Sequence, residues 1–381
     1  MNLLVMSHKQ FWLHADVLTT DGGFVLQIQA VAGLFEHTDV IIPLVGRRDQ
    51  EGMSFSHPNI KVHVVTKPMG RGIFRKFGLV LWMFRNAKVL LKCFHRCDAV
   101  HTPIPGDIGT LGLFMARIMG KRLFIRYCGN WTNRRTLAEH LWHRIMRAWH
   151  PPNTITMATG GGLQPPDPEY PWIPWIFATS LKTQQLEKLK HRALQKVYVG
   201  DAPRLLFAGR LEPGKGIEIA MHALKFVRET RTGATLTVVG DGSLSSHLKS
   251  IADRERIEGI DFTGQVGHGR MLDLMISAHI LVFPSLSEGF PKVVIESLAC
   301  GVPVICRKVS VLGYLINGHN GFSSADLTPS QIAASVEDIY VEESIYRTFS
   351  NSAIASAQDY SLEAWQSKIR STLNTYWDEF P

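Results

Sequence analysis

Residues 280–307 read ILVFPSLSEGFPKVVIESLACGVPVICR. The apolar run ILVFPS predicts a strand, KVVIESLAC a helix, and PVICR a second strand. Punctuation bounds the helix. Pro291 suits the first helical position, where a missing N–H costs nothing. Gly301 suits the left-handed position after the last turn, and Pro303 prevents continuation. Strand, loop, helix and strand together form a parallel crossover, which requires a sheet covered by helices. Glu288 and Gly289 then lie on the loop leaving the strand, at the carboxyl edge of the sheet, and Glu296 lies in the second turn. In open α/β sheets, ligands bind at that edge.

The pattern repeats outward. Towards the amino end, RLLFAGR, TLTVVGDG and IDFTGQV read as strands, separated by the helical stretches GIEIAMHALKFVRET, LSSHLKSIADRERI and RMLDLMISAH. The first half alternates likewise, with strands expected at residues 3–7, 39–44, 61–65, 99–101, 122–127 and 154–158. Helices are expected there at 23–36, 72–93, 109–119 and 136–148. A proline-rich shift, QPPDPEYPWIP, precedes a polar helix at 183–196. The reading is α/β throughout: two Rossmann-like, doubly wound parallel-sheet domains. The boundaries are 1–180 for the first, with a terminal amphipathic helix in 361–381 packing back, and 181–360 for the second.

At 381 residues the chain exceeds what one hydrophobic core ordinarily serves. No run of 18 apolar residues occurs, and the first residues lack the features of a signal peptide. Five cysteines without a framework suit a reduced, cytoplasmic setting. Cys93 and Cys97 lie four apart on one helix, and with no second pair to complete a zinc site they read as buried thiols. The net charge of +8 is uneven. Residues 1–200 hold 25 Lys/Arg against 12 Asp/Glu, and residues 201–381 hold 16 against 21. Between Glu51 and Asp98 there are nine bases and no acid, several interleaved with Phe and Trp in GIFRKFGLVLWMFRNAKVLLKCFHRC. This basic stretch, 61–96, suits an anionic membrane surface, the chain being peripheral there; the plainer alternative is a helix with its apolar side on the sheet and its bases in water. Nucleic acid is not indicated, since no recognition module accompanies the charge.

Two carboxylates flanking Gly-Phe-Pro can divide the hydroxyls of a ligand between them. Glu296 can accept two hydrogen bonds from a vicinal diol such as a ribose, and Glu288 can orient a second sugar. The backbone around Gly289, Phe290, Pro291 and Lys292 opens a helix N-terminus suited to phosphate or sugar oxygens. Set against this, Glu288 could simply be a favourable charge near a helix start, worth about 0.3–1 kcal/mol, and Glu296 a solvated helix residue. A second constellation favours the ligand. FAGRLEPGKG puts Arg210 and Lys215 on one tight turn, where both cations can reach a shared phosphate. Gly240 and Gly242 in VVGDGS leave room near the backbone, and Val266 in DFTGQVG offers its backbone beside them.

AGRLEPGKG, VVGDGSL, FTGQV and SEGFPKVVIESLACGVPVI, in this order and spacing, resemble the C-terminal half of family 4 retaining glycosyltransferases. These have the GT-B fold, two Rossmann-like domains facing across a cleft. The resemblance is strong over about 203–322 and mainly architectural over 1–165. It implies that Arg210 and Lys215 hold the donor diphosphate and stabilise its charge as the glycosidic bond breaks. Glu296 would bind the nucleotide ribose, and Glu288 with the amides of Gly289 to Lys292 would position the donor sugar. Gly22 and Gly23, in Asp21-Gly22-Gly23-Phe24, match the glycine loop expected after the first strand. The donor would be a UDP- or GDP-linked hexose and the acceptor a glycan or lipid-linked molecule, in surface polysaccharide or glycolipid synthesis. No Asp-x-Asp occurs, so metal-independent transfer without a cofactor is expected, positive side chains taking the electrostatic role.

Departures fall on the acceptor side. Where many members carry a His near the donor sugar, this chain reads IRYCGNW, so Tyr127, Cys128 or Asn130 would have to serve. Gly313 stands where a Glu is usual, and IPWIFATS replaces the usual interdomain segment. His14 and His101 are expected in loops near an acceptor. His140, His143 and His150 lack a metal-binding pattern. Trp12, Trp131, Trp172 and Trp175 are expected in the core rather than stacked on sugars. The alternatives are a nucleotide-sugar epimerase or hydrolase on the same fold, and a non-catalytic glycan-binding protein.

Overall fold

The computed structural model describes residues 1–49, 51–70, 72–129, 137–159, 171–177, 180–377 and 380. Met1–Gly160, Pro165–Ser180 and Leu362–Pro381 form one unit, and Leu181–Ser361 lie in the other.

In the first unit, β1 (Asn2–Met6) leads into β2 (Phe11–His14) and β3 (Val17–Thr19), then α1 (Phe24–Ala32), β4 (His37–Arg47) and β5 (Ile60–Val65). There follow α2 (Gly72–Arg96), β6 (Ala99–Ile104), α3 (Asp107–Ile118), β7 (Arg122–Tyr127), α4 (Leu137–Ala148) and β8 (Thr154–Ala158). Strands β5, β4, β1, β6, β7 and β8 pair side by side, all parallel. Numbered in chain order, these strands lie 3-2-1-4-5-6, the dinucleotide-fold order. Their continuous apolar runs reflect burial on both faces. One face packs on α2, α3 and α4 through Trp82, Phe94, Leu113 and Trp142.

The second unit contains α5 (Thr183–Leu194), β9 (Arg204–Ala208), α6 (Ile217–Thr230), β10 (Thr235–Val239), α7 (Ser245–Arg254) and β11 (Ile260–Gly264). It continues with α8 (His268–Ser277), β12 (Ile280–Phe283), α9 (Lys292–Ala299), β13 (Val304–Arg307), α10 (Leu312–Leu315) and β14 (Gly321–Ser324). Last come α11 (Pro329–Tyr340) and α12 (Glu343–Ala357). The order β11-β10-β9-β12-β13-β14 is again 3-2-1-4-5-6, and every pairing is parallel. Lys196 is buried and donates from Nζ to Ala278 O at 2.7 Å and Cys300 O at 3.1 Å. Its charge sits at the negative ends of α8 and α9, although burial lowers the ammonium to about 7.

The final helix, α13 (Leu362–Tyr376), belongs to the first unit. Its Trp365, Ile369 and Leu373 join Leu3, Val5, Ile28 and Val40 in one core on the sheet's other face, and Gln366 Nε2 donates to Ala30 O at 2.6 Å.

The structure departs from the sequence reading in several elements, three of them here. A hairpin, β2–β3, intervenes before α1, turning on Ala15 and Asp16 at φ of 46° and 62°. Such turns favour Asn-Gly or Asp-Gly, so Ala-Asp gave no signal. The helix expected over 23–36 ends at Ala32, and Leu34 and Phe35 turn into the core. PVICR does not close the second sheet, since β14 adds another strand. Its GFSS is too short and polar to read as a buried strand.

Candidate functional site

β9 and β12 are neighbours at the point where the second sheet's order reverses, and their carboxyl-end loops run together. Leu286 N–H donates to Gly214 O at 2.8 Å. Gly216, at φ 74°, approaches so closely that a Cβ would stand 2.5 Å from Pro284 O. This lacing brings a cation and an acid from different loops into contact. Lys215 Nζ lies 2.6 Å from Glu288 Oε1, with the two side chains 20% and 12% exposed. Water screens such a pair less than it would a surface pair.

A third loop is fastened to the first. Gly209 N–H donates to Val239 O and Leu211 N–H to Asp241 O, each at 3.0 Å. A Cβ on Gly240, at φ 135°, would stand 1.8 Å from Gly209 O, and one on Gly242 would stand 2.4 Å from Leu211 O. The sequence reading gave these glycines to a ligand; the chain's own backbone already requires glycine at both positions, whatever binds beside them. Glu212 clasps Ser243, accepting from its Oγ at 2.6 Å and its N–H at 3.1 Å. Those bonds, helped by Arg210 nearby, hold the Glu212 carboxyl below its ordinary value. Arg210 itself is exposed.

Helix α9 begins one residue later than expected, with Pro291 as its cap and Lys292 as its first residue. Gly301 is left-handed at φ 62°, as the sequence required. Pro291 has no N–H, and that of Lys292 donates to Phe290 O at 3.1 Å, so neither offers an amide at the helix start. Gly289 stands in open space, its carbonyl accepting from Ser310 Oγ at 3.2 Å.

Glu296 is not a solvated helix residue: it is 8% exposed. Its partner is one that sequence reasoning missed. His268 Nε2 lies 3.2 Å from Glu296 Oε1, and this bond raises the imidazole above its ordinary value against the opposing effect of burial. His268 opens α8 two residues beyond the half-buried Val266. Its place on a carboxyl-end loop, in DFTGQVGHG, was the available signal.

In the first unit, Gly22 is left-handed at φ 68° and Gly23 precedes α1. This glycine loop follows the hairpin, not the first strand directly, and Asp21 in it pairs with Lys9. Tyr127 is fully buried in the core, whereas Cys128 is exposed; Asn130 and Trp131 lie outside the described residues. His101 is in no loop. It lies inside β6, fully buried and stacked on Phe124 at 4.3 Å, and burial drives its imidazole down to about 3. His14 ends β2, with Nδ1 3.3 Å from Arg48 O. Trp12 and Trp175 are buried, as expected.

The match to a protein-family model falls on the second unit. Residues 202–342 match the family model described as glycosyl transferases group 1. The chain is 36% identical over 137 residues to glycogen synthase from Mycobacterium tuberculosis, covering 35% of this chain and 33% of that one. It is 30% identical over 194 residues to D-inositol 3-phosphate glycosyltransferase from Paenarthrobacter aurescens, covering 49% of this chain and 46% of the other. It thus spans about a third to a half of these relatives' length. Among solved structures, Anabaena Alr3699/HepE in complex with UDP superposes with a TM-score of 0.69 at 16% identity, covering 98% of this chain and 100% of that one. At that identity the likeness speaks for the fold: two Rossmann-like units of the GT-B kind, of which the second carries the group 1 glycosyltransferase match.

Proposed function

We propose that the protein is a retaining, metal-independent glycosyltransferase that moves a hexose from a nucleoside-diphosphate sugar to a glycan or lipid-linked acceptor. One observation carries the reading: two backbone-laced loops at the switch point of the second unit hold Lys215 against Glu288 at 2.6 Å. That arrangement stores a cation and an acid where a charged, hydroxyl-rich ligand can take both. The donor's diphosphate takes Lys215, with Arg210 as its second cation, and Glu288 turns to the sugar hydroxyls. Departure of the diphosphate builds negative charge there, which fixed cations stabilise more than they stabilise the bound ground state. Glu296 accepts from the ribose diol through the oxygen not engaged by His268. In retaining transfer on one face of the sugar, the acceptor oxygen bonds the anomeric carbon as its C–O bond to phosphate breaks, and the phosphate takes the acceptor's proton.

The UDP complex of the Anabaena structure favours uridine as the base. A thermal-shift screen of UDP- and GDP-sugars tests the reading, because a ligand of the native state raises its melting temperature. UDP-sugars are expected to raise it and Lys215→Ala to lose the rise. No response to either nucleotide series in wild-type protein overturns the reading.

The first unit supports a peripheral membrane setting at the cytoplasmic face. On α2, Phe74, Phe77 and Phe84 are 79%, 71% and 76% exposed, with Leu81 and Leu91 also exposed. Trp82, Leu90 and Phe94 of the same helix face the core. The plainer alternative, with the apolar side wholly on the sheet, accounts for the second set and not the first. Arg75, Arg85, Lys88, Lys92 and Arg96 accompany the exposed stripe. No described helix is long and apolar enough to cross a membrane. Aromatics on a basic helix suit the boundary of an anionic bilayer. Flotation with vesicles containing phosphatidylglycerol is expected, and is lost in Phe77→Ser/Phe84→Ser. Equal flotation of wild type with neutral vesicles excludes the electrostatic part.

A further inference from the structure

The first unit holds a second cluster of reactive groups, near the amino ends of β4 and β5. Asp39 and His63 lie on adjacent strands, in a register that pairs Asp39 with Lys61 and Ile41 with His63. Alternate residues share a face, so both project towards α2, whose Cys93 lies in the same core as Ile41 and Val65. His63 Nε2 is 2.6 Å and His37 Nε2 3.4 Å from Asp39 Oδ1. One donor atom each from Asp39, His63 and Cys93 all lie within 4.8 Å of one another. Asp39 and Cys93 are 4% and 1% exposed.

The geometry points to a divalent, zinc-type cation site ligated by Asp39 Oδ1, His63 Nε2 and Cys93 Sγ. Of the three ligands Asp39 lines a cavity of about 390 Å³, shared with Asn2, His37, Lys61 and Arg96, from which a water would reach the fourth position. Carboxylate, imidazole and thiolate are all zinc donors, and three protein ligands with one open position is a familiar set. On binding, the Cys93 S–H gives its proton to solvent and the thiolate bonds the metal. Without metal the His63 Nε2–H faces the Asp39 carboxylate at 2.6 Å; on binding, the ring gives that proton to solvent and holds one on Nδ1, so that the Nε2 lone pair replaces the hydrogen bond with a bond to the metal. Carboxylate and thiolate together cancel the cation's charge. Lys61, Lys92 and Arg96 favour the Cys93 thiolate, although burial keeps the metal-free thiol up at about 11. They also oppose the cation itself, so the site needs both anions. Bound metal would fasten the last turns of α2 to two strands. No sequence motif announces it, because the ligands come from three elements. The proposal is independent of the transferase reading.

The full chain, dialysed against chelator and titrated with Co²⁺, tests it. One Co²⁺ per chain is expected, with a thiolate-to-cobalt charge-transfer band that Zn²⁺ abolishes. Cys93→Ser should lose that band, and Asp39→Asn or His63→Gln should weaken binding at least tenfold, the lower bound for losing even an outer partner being roughly that. Absence of the band in natively folded wild type overturns the site. So does an undiminished band in Cys93→Ser, which would put the metal on another thiol such as the exposed Cys128. Should Cys93→Ser fail to fold, X-ray absorption of zinc-loaded wild type decides. One sulfur with nitrogen and oxygen neighbours supports the site; a shell without sulfur removes it.

Discussion

The two units share a strand order, and particular glycine loops at their sheet edges differ in what the glycine is for. In the second, Gly216, Gly240 and Gly242 are places where one loop presses on the backbone of another, leaving no room for a Cβ. In the first, Gly22 and Gly46 are left-handed with nothing within 4 Å. One sheet edge is welded by its own backbone before any ligand arrives. In the first unit Gly22, before α1, serves conformation alone, whereas Gly106, after β6, is pressed by a side chain, a Cβ there standing 2.3 Å from His8 Nδ1. A preorganised wall is what electrostatic catalysis requires, since reorganisation at the moment of reaction would cost what the fixed charges gain.

The largest effect expected from this contrast is on transfer. Glu288→Gln keeps the shape of the side chain and removes its charge, so activity should fall by about 10²–10³-fold, as when one preorganised group is lost. Arg210→Ala should fall comparably, with its melting temperature unchanged because the side chain is exposed. Initial rates with a responding donor, measured beside thermal melts, check both. Near-wild-type rates in either variant would take that side chain out of the site.

Next comes stability. Gly240→Ala must relieve both its φ of 135° and the overlap with Gly209 O, so a loss of about 2–5 kcal/mol is expected from strain and overpacking together. Gly22→Ala carries the conformational term alone, about 1–2 kcal/mol. Urea melts of the two variants measure the difference. Equal losses would erase the distinction between the units' loops.

Legibility followed the same division. The Arg210, Lys215, Glu288 and Glu296 loops were readable because each motif sits between a strand and a helix of strong period, with Gly and Pro marking both ends. Sequence marks Gly240 and Gly242 as places where a Cβ is unwelcome without showing that the Gly209 and Leu211 carbonyls exclude it. The β2–β3 hairpin was missed because Ala15-Asp16 carries none of the usual turn chemistry, and β14 because GFSS is short and polar. His101 was placed in a loop because its strand was expected to end at 101, whereas β6 runs to Ile104. The Asp39, His63 and Cys93 cluster needed the parallel register of β4 and β5, which no local pattern encodes.

The smallest effect concerns His268, the partner of Glu296 that the sequence did not announce. The Glu296 bond raises the imidazole above 6.5, so its contribution is fully present below about pH 6.5, the unfolded value, and is lost as pH rises through the higher folded value. His268 is 48% exposed, which keeps the contribution under about 1 kcal/mol. Wild type and His268→Asn should therefore differ most in melting temperature below about pH 6.5 and converge as pH rises through the raised folded value. A difference that grows with pH would mean that the neutral ring, not the cation, holds Glu296. If Glu296 receives the ribose through its other oxygen, UDP should raise the melting temperature of both proteins at either pH. A response to UDP confined to the variant would show that His268 occupies the ribose's place, and would make this bond a competitor of the donor instead of its support.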